Sequence, residues 1–254
     1  MVRLGQNFLA DPNLLEAIVR DAELAPADVV LEVGAGEGVL SERLAAVAAH
    51  LHSVEIDRGL EGALAALAAR PNVSLHWGDA MKTDLAAFAP APTAMVANLP
   101  YSVATPLILR TIEQLPGLRS WTVMVQREIA ERLRAAPGSR LYGGPSGQVQ
   151  LACKVELLRT VDPAVFKPRP RVESAILRLR RTGPGADPAT RELVRAAFAH
   201  RRKALPRSLE HSRPGLLAPA RAALAELGLA EDARAEALAP ADFAALSAKL
   251  QSDS

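Results

Sequence analysis

Between Asp28 and Arg181, short apolar runs rich in β-branched residues alternate with Ala- and Leu-rich stretches of helical periodicity, and no other feature constrains the fold as strongly. Runs that are apolar at nearly every position suit strands buried on both faces, and the helical stretches supply the crossovers that parallel strands need. The pattern predicts strands at Val29–Val33, Leu51–Ile56, Val73–His76, Ala94–Ala97, Trp121–Val125, Gln150–Leu157 and Ala175–Leu179. Helices are predicted at Gly38–Ala48, Gly59–Ala69, Ala104–Gln114 and Arg127–Ala135. No helical pattern separates the last two strands, which predicts an antiparallel end to the sheet. The expectation is an α/β fold built on a seven-stranded, mostly parallel sheet covered on both faces.

The run Thr182-Gly183-Pro184-Gly185-Ala186-Asp187-Pro188 ends this pattern, and only helical periodicity follows, at Arg191–Ala199, Ala218–Leu227 and Ala241–Leu250. A domain boundary is therefore expected there, giving an α/β domain over 1–182 and a small all-helical domain over 183–254. Pro137 to Gly147 reads as a Gly/Pro-rich loop, either functional or a plain surface connection. No apolar run approaches the roughly 18 residues of a membrane span, and the N-terminal residues lack a secretory apolar region. A cytoplasmic protein is expected. Cys153, the single cysteine, has no partner for an internal disulfide or a cysteine-based zinc site. Net charge is only +2, but basic residues crowd two stretches, Lys167 to Arg181 and Arg191 to Arg213. Such stretches suit nucleic acid, or simply a solvated face.

The most informative turn is Val30-Leu31-Glu32-Val33-Gly34-Ala35-Gly36-Glu37-Gly38-Val39-Leu40. An apolar strand passes through three alternating glycines into a helix, which lets backbone approach a nucleotide-like ligand closely. A dinucleotide fingerprint would place its third glycine at position 39, where Val39 stands, so a nicotinamide cofactor is disfavoured. Glu55 ends the next strand, where an acid can accept hydrogen bonds from both ribose hydroxyls. Asp79, in Gly78-Asp79-Ala80, follows the third strand and is placed to receive an adenine amine. Singly, each is an ordinary strand-end acid; together they indicate a nucleoside-bearing cofactor.

Asn98-Leu99-Pro100-Tyr101 follows the fourth strand. An adenine amine is a poor nucleophile because its lone pair is delocalised into the ring, and acceptors on its two hydrogens favour a pyramidal nitrogen with a localised pair. The Asn98 side-chain oxygen and a backbone carbonyl of Leu99 or Pro100 can supply those acceptors. Pro100 removes a competing N–H and holds Leu99 extended, and Tyr101 offers a flat face to a base. Were such a nitrogen to take up a methyl group, it would be left a very weak base that sheds its proton readily. None of the five histidines need therefore be catalytic, and no metal is required.

With these residues in place, the chain resembles the ribosomal RNA adenine dimethyltransferase family, and most closely its bacterial small-subunit branch. The resemblance runs from Leu4 to about Leu209 and rests on Gly5-Gln6-Asn7-Phe8-Leu9, Glu32-Val33-Gly34-Ala35-Gly36-Glu37-Gly38, Val54-Glu55-Ile56-Asp57, Gly78-Asp79-Ala80, Asn98-Leu99-Pro100-Tyr101, Gln126-Arg127-Glu128-Ile129-Ala130, Phe166-Lys167-Pro168-Arg169-Pro170-Arg171-Val172 and Arg201-Arg202-Lys203. It implies a Rossmann-like class I methyltransferase with S-adenosyl-L-methionine as cofactor. The implied reaction is dimethylation of the exocyclic amine of two adjacent adenosines in small-subunit ribosomal RNA during ribosome maturation, by a monomer acting on the subunit or its precursor. It further implies that Gln6, Asn7 and Leu9 form a lid over the methionine part of the cofactor, and that Gly34, Gly36, Glu55, Ile56, Asp79, Ala80 and Asn98 line the rest of its pocket. Phe166 would face Tyr101 across the flipped base, although periodicity alone makes it a core residue. Arg201, Arg202 and Lys203 would contact RNA.

Three stretches depart from the family's commoner wording: Tyr142 to Gln148, Ala204-Leu205-Pro206-Arg207, and the short segment before Gly5. With few basic residues before Gly5, RNA affinity would rest more on the C-terminal domain. Two alternatives stand beside this reading. One is a large-subunit adenine methyltransferase of the macrolide-resistance type. The other is a noncatalytic RNA-binding factor for ribosome assembly or transcription with the same fold.

Overall fold

The computed structural model describes residues 8–9 and 11–252. The chain condenses into two compact units, one built from the residues up to Ala130 with Val155–Arg181, the other from Glu131–Lys154 with the residues from Thr182 onward. In chain order the elements are β1 (Phe8–Leu9), α1 (Pro12–Ala22), β2 (Val29–Val33), α2 (Val39–Val47), β3 (His50–Glu55), α3 (Glu61–Ala68), β4 (Val73–Trp77), β5 (Ala94–Asn98), α4 (Ala104–Gln114) and β6 (Ser120–Gln126). They continue with α5 (Arg127–Leu133), α6 (Gly144–Gln150), β7 (Cys153–Val161), β8 (Phe166–Lys167), β9 (Ser174–Arg181), α7 (Pro188–Ala199), α8 (Leu205–Ser212), α9 (Leu217–Glu226) and α10 (Pro240–Ser252).

Seven strands form one sheet in the order β4-β3-β2-β5-β6-β9-β7. The five strands from β4 to β6 run parallel, and β9 is antiparallel to β6. This is the mostly parallel sheet expected, with its antiparallel turnover. Every residue of β2 is buried, which is why its sequence is apolar except at Glu32. Parallel register brings the strand ends Val33, Glu55 and Asn98 to one edge, beside Val54, Trp77 and Met124 of their neighbours. The motifs that follow β2, β3, β4 and β5 therefore gather at the carboxyl edge of the sheet, where ligands of open α/β folds bind.

Three elements of this unit lie outside the sequence expectation. In α1 the Asp11 side chain caps the Leu14 N–H at 2.9 Å, and Pro12 opens the first turn, where its missing N–H costs nothing. Its buried Leu15 and Ile18 join the main core. The two-residue strands β1 and β8 pair antiparallel, Phe8 opposite Lys167 and Leu9 opposite Phe166.

The second unit has its own core, centred on Val194, Leu205, Leu209, Leu224, Phe243 and Leu246. The single boundary expected at 182/183 is corrected here, because residues 131–154 pack into this unit as well. Their Gly/Pro-rich composition conceals a folded segment rather than a loop. A Cβ at Gly144 would lie 3.6 Å from Phe198, and one at Gly147 would lie 3.4 Å from the Tyr142 hydroxyl and 3.5 Å from Val194. Glycine thus lets α6 lie close against α7, and packing outweighs poor helix propensity. Tyr142 is fully buried and meets Phe198 edge-on, ring centroids 5.9 Å apart. Gln150 consequently ends α6, and β7 starts only at Cys153, which is buried. The unpredicted α8 tolerates Pro206 in its first turn. Among the described residues no helix is long and apolar enough to cross a membrane.

Candidate cofactor and base site

A cavity of about 220 Å³ opens at the carboxyl edge of the parallel strands, and most of the residues singled out in the sequence line it. Gly34 and Gly36 form its floor with φ of 84° and 57°, backbone that residues with a Cβ rarely adopt. The Gly34 N–H donates to the Val54 carbonyl at 2.8 Å, tying the turn to β3. A Cβ on Gly36 would lie 3.1 Å from the Phe8 ring.

Glu55 is buried and already occupied by backbone. One carboxylate oxygen, Oε2, accepts the Gly36 N–H at 2.9 Å, and the other, Oε1, accepts the Ile56 and Asp57 N–H groups at 2.8 Å each. A carboxylate offers about four acceptor positions, so three are spent on closing the glycine turn against β3. Ile56, at 51% exposure, presents an apolar surface beside Glu55. Asp79 lines the next part of the wall, its Oδ1 accepting the Met81 N–H at 2.9 Å, and Ala80 is buried alongside.

Asn98, Leu99, Pro100 and Tyr101 complete the lining. The Leu99 N–H donates to Met124 of β6 at 3.0 Å, and the Pro100 carbonyl accepts the Val103 N–H at 3.1 Å, starting the turn into α4. Of the two candidate backbone acceptors, Pro100 is thus engaged locally, and Leu99 is the better placed. The Tyr101 hydroxyl and Ser174 Oγ lie 2.6 Å apart, anchoring the ring to β9.

Not every residue that the resemblance assigns to the site is found among its lining. Leu9 lines the cavity as expected, but Gln6 and Asn7 lie outside the described residues. Phe166 is 3% exposed and belongs to the main hydrophobic core, paired through β8 with Leu9 of β1, which does line the cavity.

Among the lining residues to which the sequence assigns no role, Phe8 and Glu32 stand out. Phe8 covers Gly36. Glu32 is buried with Ser41 Oγ and Ser53 Oγ donating to the same oxygen, Oε2, at 2.5 and 2.7 Å. Burial pushes its carboxyl up to about 7 against the two serine bonds, and the Glu55 charge adds to the rise. The signal was a lone acid inside an otherwise apolar strand.

In the second unit Arg201, Arg202 and Lys203 are exposed on the link between α7 and α8. Arg201 Nε donates to Glu236 Oε2 at 3.0 Å and Nη2 to the Arg140 carbonyl at 2.7 Å, while Lys203 Nζ contacts His211 Nε2. A concavity of about 460 Å³ in the same unit is lined by Arg132, Arg140, Arg195 and Arg201, with Gln148 and Phe198 among its walls.

Fold and cavity together define a Rossmann-like class I methyltransferase. The chain belongs to the ribosomal RNA adenine dimethylase family, whose model matches residues 2–252. Its relatives include the ribosomal RNA small subunit methyltransferase A of Rubrobacter xylanophilus, 46% identical over 248 residues that cover 96% of this chain and 92% of that protein. The protein of the same name from Deinococcus radiodurans is 42% identical, covering 97% and 84%. Among solved structures, a dimethyladenosine transferase from Plasmodium falciparum superposes with a TM-score of 0.84 at 25% identity, covering 96% of this chain and 98% of that one. The 23S rRNA methyltransferase ErmE gives 0.70 at 30% identity, covering 96% and 100%.

Proposed function

We propose that this chain dimethylates the exocyclic amine of two adjacent adenosines in small-subunit ribosomal RNA during subunit maturation, with S-adenosylmethionine as methyl donor. The observation that carries this reading is that Asn98-Leu99-Pro100-Tyr101 lines the same cavity as the glycine turn, Glu55 and Asp79. The residues present fit the cofactor. Gly34 and Gly36 leave a cradle that a Cβ would narrow, a Cβ at Gly34 falling 3.5 Å from the Asn98 carbonyl oxygen and 3.6 Å from Pro100. Glu55, Ile56, Asp79 and Ala80 would hold the nucleoside end, and Leu9 would cover part of it. When bound, the cofactor supplies an electrophilic methyl group.

The chain's own residues then prepare the nucleophile. Asn98 and the Leu99 carbonyl accept the two amine hydrogens, which localises the nitrogen lone pair. Tyr101, steadied by Ser174, supports the base from one face. The proton of the methylated nitrogen passes to water without a dedicated base.

Relatives named for the small subunit, 42–46% identical over nearly the whole chain, favour that RNA over the large-subunit alternative. The glycine turn, Glu55, Asp79 and Asn98-Leu99-Pro100-Tyr101 gathered in one cavity argue against a noncatalytic factor. For substrate docking, Arg201, Arg202, Lys203 and the arginine-lined concavity of the second unit suit phosphate backbone. Asn98→Ala should lower single-turnover methyl transfer by about a hundredfold or more while S-adenosylmethionine affinity stays within a few fold, since the lost interaction matters chiefly in the transition state. Near-normal turnover at saturating cofactor would sink the mechanism. Unchanged methylation of small-subunit adenines in cells lacking the protein would sink the substrate assignment.

A further inference from the structure

The loop that follows β4 carries Asp79 and Ala80 into the cavity and is held mainly by short local bonds. The Asp79 carbonyl accepts the Lys82 N–H at 2.8 Å, the Thr83 N–H at 2.9 Å and the Thr83 hydroxyl at 3.0 Å. Such bonds shape the turn but do not fix where it sits. Among the described residues, one side chain from another element reaches two of its carbonyls. Arg110, half-buried on α4, donates from Nη1 to the Ala80 carbonyl and from Nη2 to the Thr83 carbonyl at 2.8 Å, while Nε is steadied by Gln114 Oε1 at 2.8 Å. The rigid guanidinium fork grips two carbonyls three residues apart, which a flexible ammonium cannot reproduce.

This grip bears on recognition. The Ala80 N–H shares its peptide plane with the Asp79 carbonyl, which the Lys82 and Thr83 bonds orient. Arg110 seats that whole turn by holding the next carbonyl, that of Ala80, and the Thr83 carbonyl. No bond of the Ala80 N–H is found among the described residues, and the residue lines the cavity. Asp79 beside it offers a carboxylate. A donor next to an acceptor is the complement of the N1 and amino edge of adenine, and the mirror of what a hypoxanthine edge presents. Helix α4 starts at Ala104, one short turn beyond Tyr101, so the element that carries Arg110 adjoins the base-site motif as well as this loop.

We infer that Arg110 is a positioning residue that sets the preference of the cofactor pocket for adenine by holding Asp79 and Ala80 in register. The inference rests on the cofactor reading above. It is tested by calorimetric titration of the full-length protein with S-adenosylhomocysteine and with S-inosylhomocysteine, in wild type, Arg110→Ala and Arg110→Lys, each with a melting curve. Wild type should strongly prefer the adenosyl compound. Both variants should bind that compound about tenfold more weakly, as expected when a pair of hydrogen bonds loses alignment, with little change for the inosyl compound. The preference therefore shrinks. Should Arg110→Ala fail to fold, Arg110→Lys decides, because it keeps the charge and stem but loses the fork. Equal weakening of both compounds, or an undiminished preference in a folded variant, overturns the inference. A wild type that binds neither compound, or both alike, overturns the cofactor reading and this inference with it.

Discussion

Glu32 and Glu55 are buried acids on neighbouring strands that the fold treats differently. Glu55 receives three backbone N–H groups, whereas Glu32 receives two hydroxyls on one oxygen, and burial lifts its carboxyl to about 7. A folded value above the ordinary 4.5 means that the folded state holds a proton the unfolded chain has released. Its contribution to stability is full below about pH 4.5 and is lost as pH rises toward 7, at up to roughly 1.4 kcal/mol per pH unit. Glu32→Gln removes that titration. Urea unfolding at pH 5 and pH 7.5 should show the variant gaining on wild type as pH rises, and a pH-independent difference would reject the protonated Glu32. The sequence exposed both acids, one as a strand-end residue and the other as an odd charge in an apolar run. It could not reveal that Glu55 spends most of its capacity on its own turn, because that depends on the φ of Gly36 and the direction of three N–H bonds.

At the scale of elements, the parallel strands were legible because burial on both faces demands unbroken apolar runs, and α4 because its buried Leu107, Ile108 and Thr111 keep a helical period. Elements made by packing were not. Gly/Pro composition hid α6, and β1 and β8 are too short to show a period. The pairing of β3 with β4 has a further consequence. His52 Nε2 lies 2.8 Å from the Pro90 carbonyl, which can only accept, so Nε2 carries the hydrogen and Nδ1 must accept from His76 Nε2 at 3.1 Å. His76 also stacks on Phe88 with ring centroids 3.9 Å apart. The arrangement suits two neutral rings, and burial pushes both below the usual 6.5. A folded value below the unfolded one makes their contribution complete above about pH 6.5 and lost as pH falls, opposite in sign to Glu32. His76→Phe keeps the stack and removes one titrating ring. Its melting temperature should fall less than that of wild type between pH 7.5 and 5.5; equal falls would exclude the pair as an acid-labile point.

For the whole molecule the open question is how a pocket that recognises one base comes to act on one RNA. In the proposed mechanism Asn98 and Tyr101 would recognise an amine and a ring face that every adenosine shares, so selection would have to come from surfaces remote from the reacting atoms. The break at Thr182 was legible from its Gly/Pro run. The return of residues 131–154 was not, and it is this return that places Arg132 and Arg140 in one concavity with Arg195 and Arg201. The geometry also refines which basic residues probe docking cleanly. Arg201 is tied to Glu236 and to the Arg140 carbonyl, and Lys203 contacts His211, so alanine at either position disturbs local structure as well as charge. The side chains of Arg140 and Arg202 are exposed and offer charge with less structural entanglement. Each phosphate neutralised adds to affinity and to its dependence on salt. The double replacement Arg140→Ala with Arg202→Ala should therefore leave S-adenosylmethionine binding and the melting temperature near wild type, weaken binding to small-subunit particles, and flatten the salt slope by about one for each phosphate contact removed. If the two arginines only solvate the surface, particle affinity and salt slope both stay at wild-type values across the series. If they instead brace the helical unit, the melting temperature drops and affinity falls by the same factor at every salt concentration, leaving the slope unchanged. Only a lower slope in a stable variant supports docking through this unit.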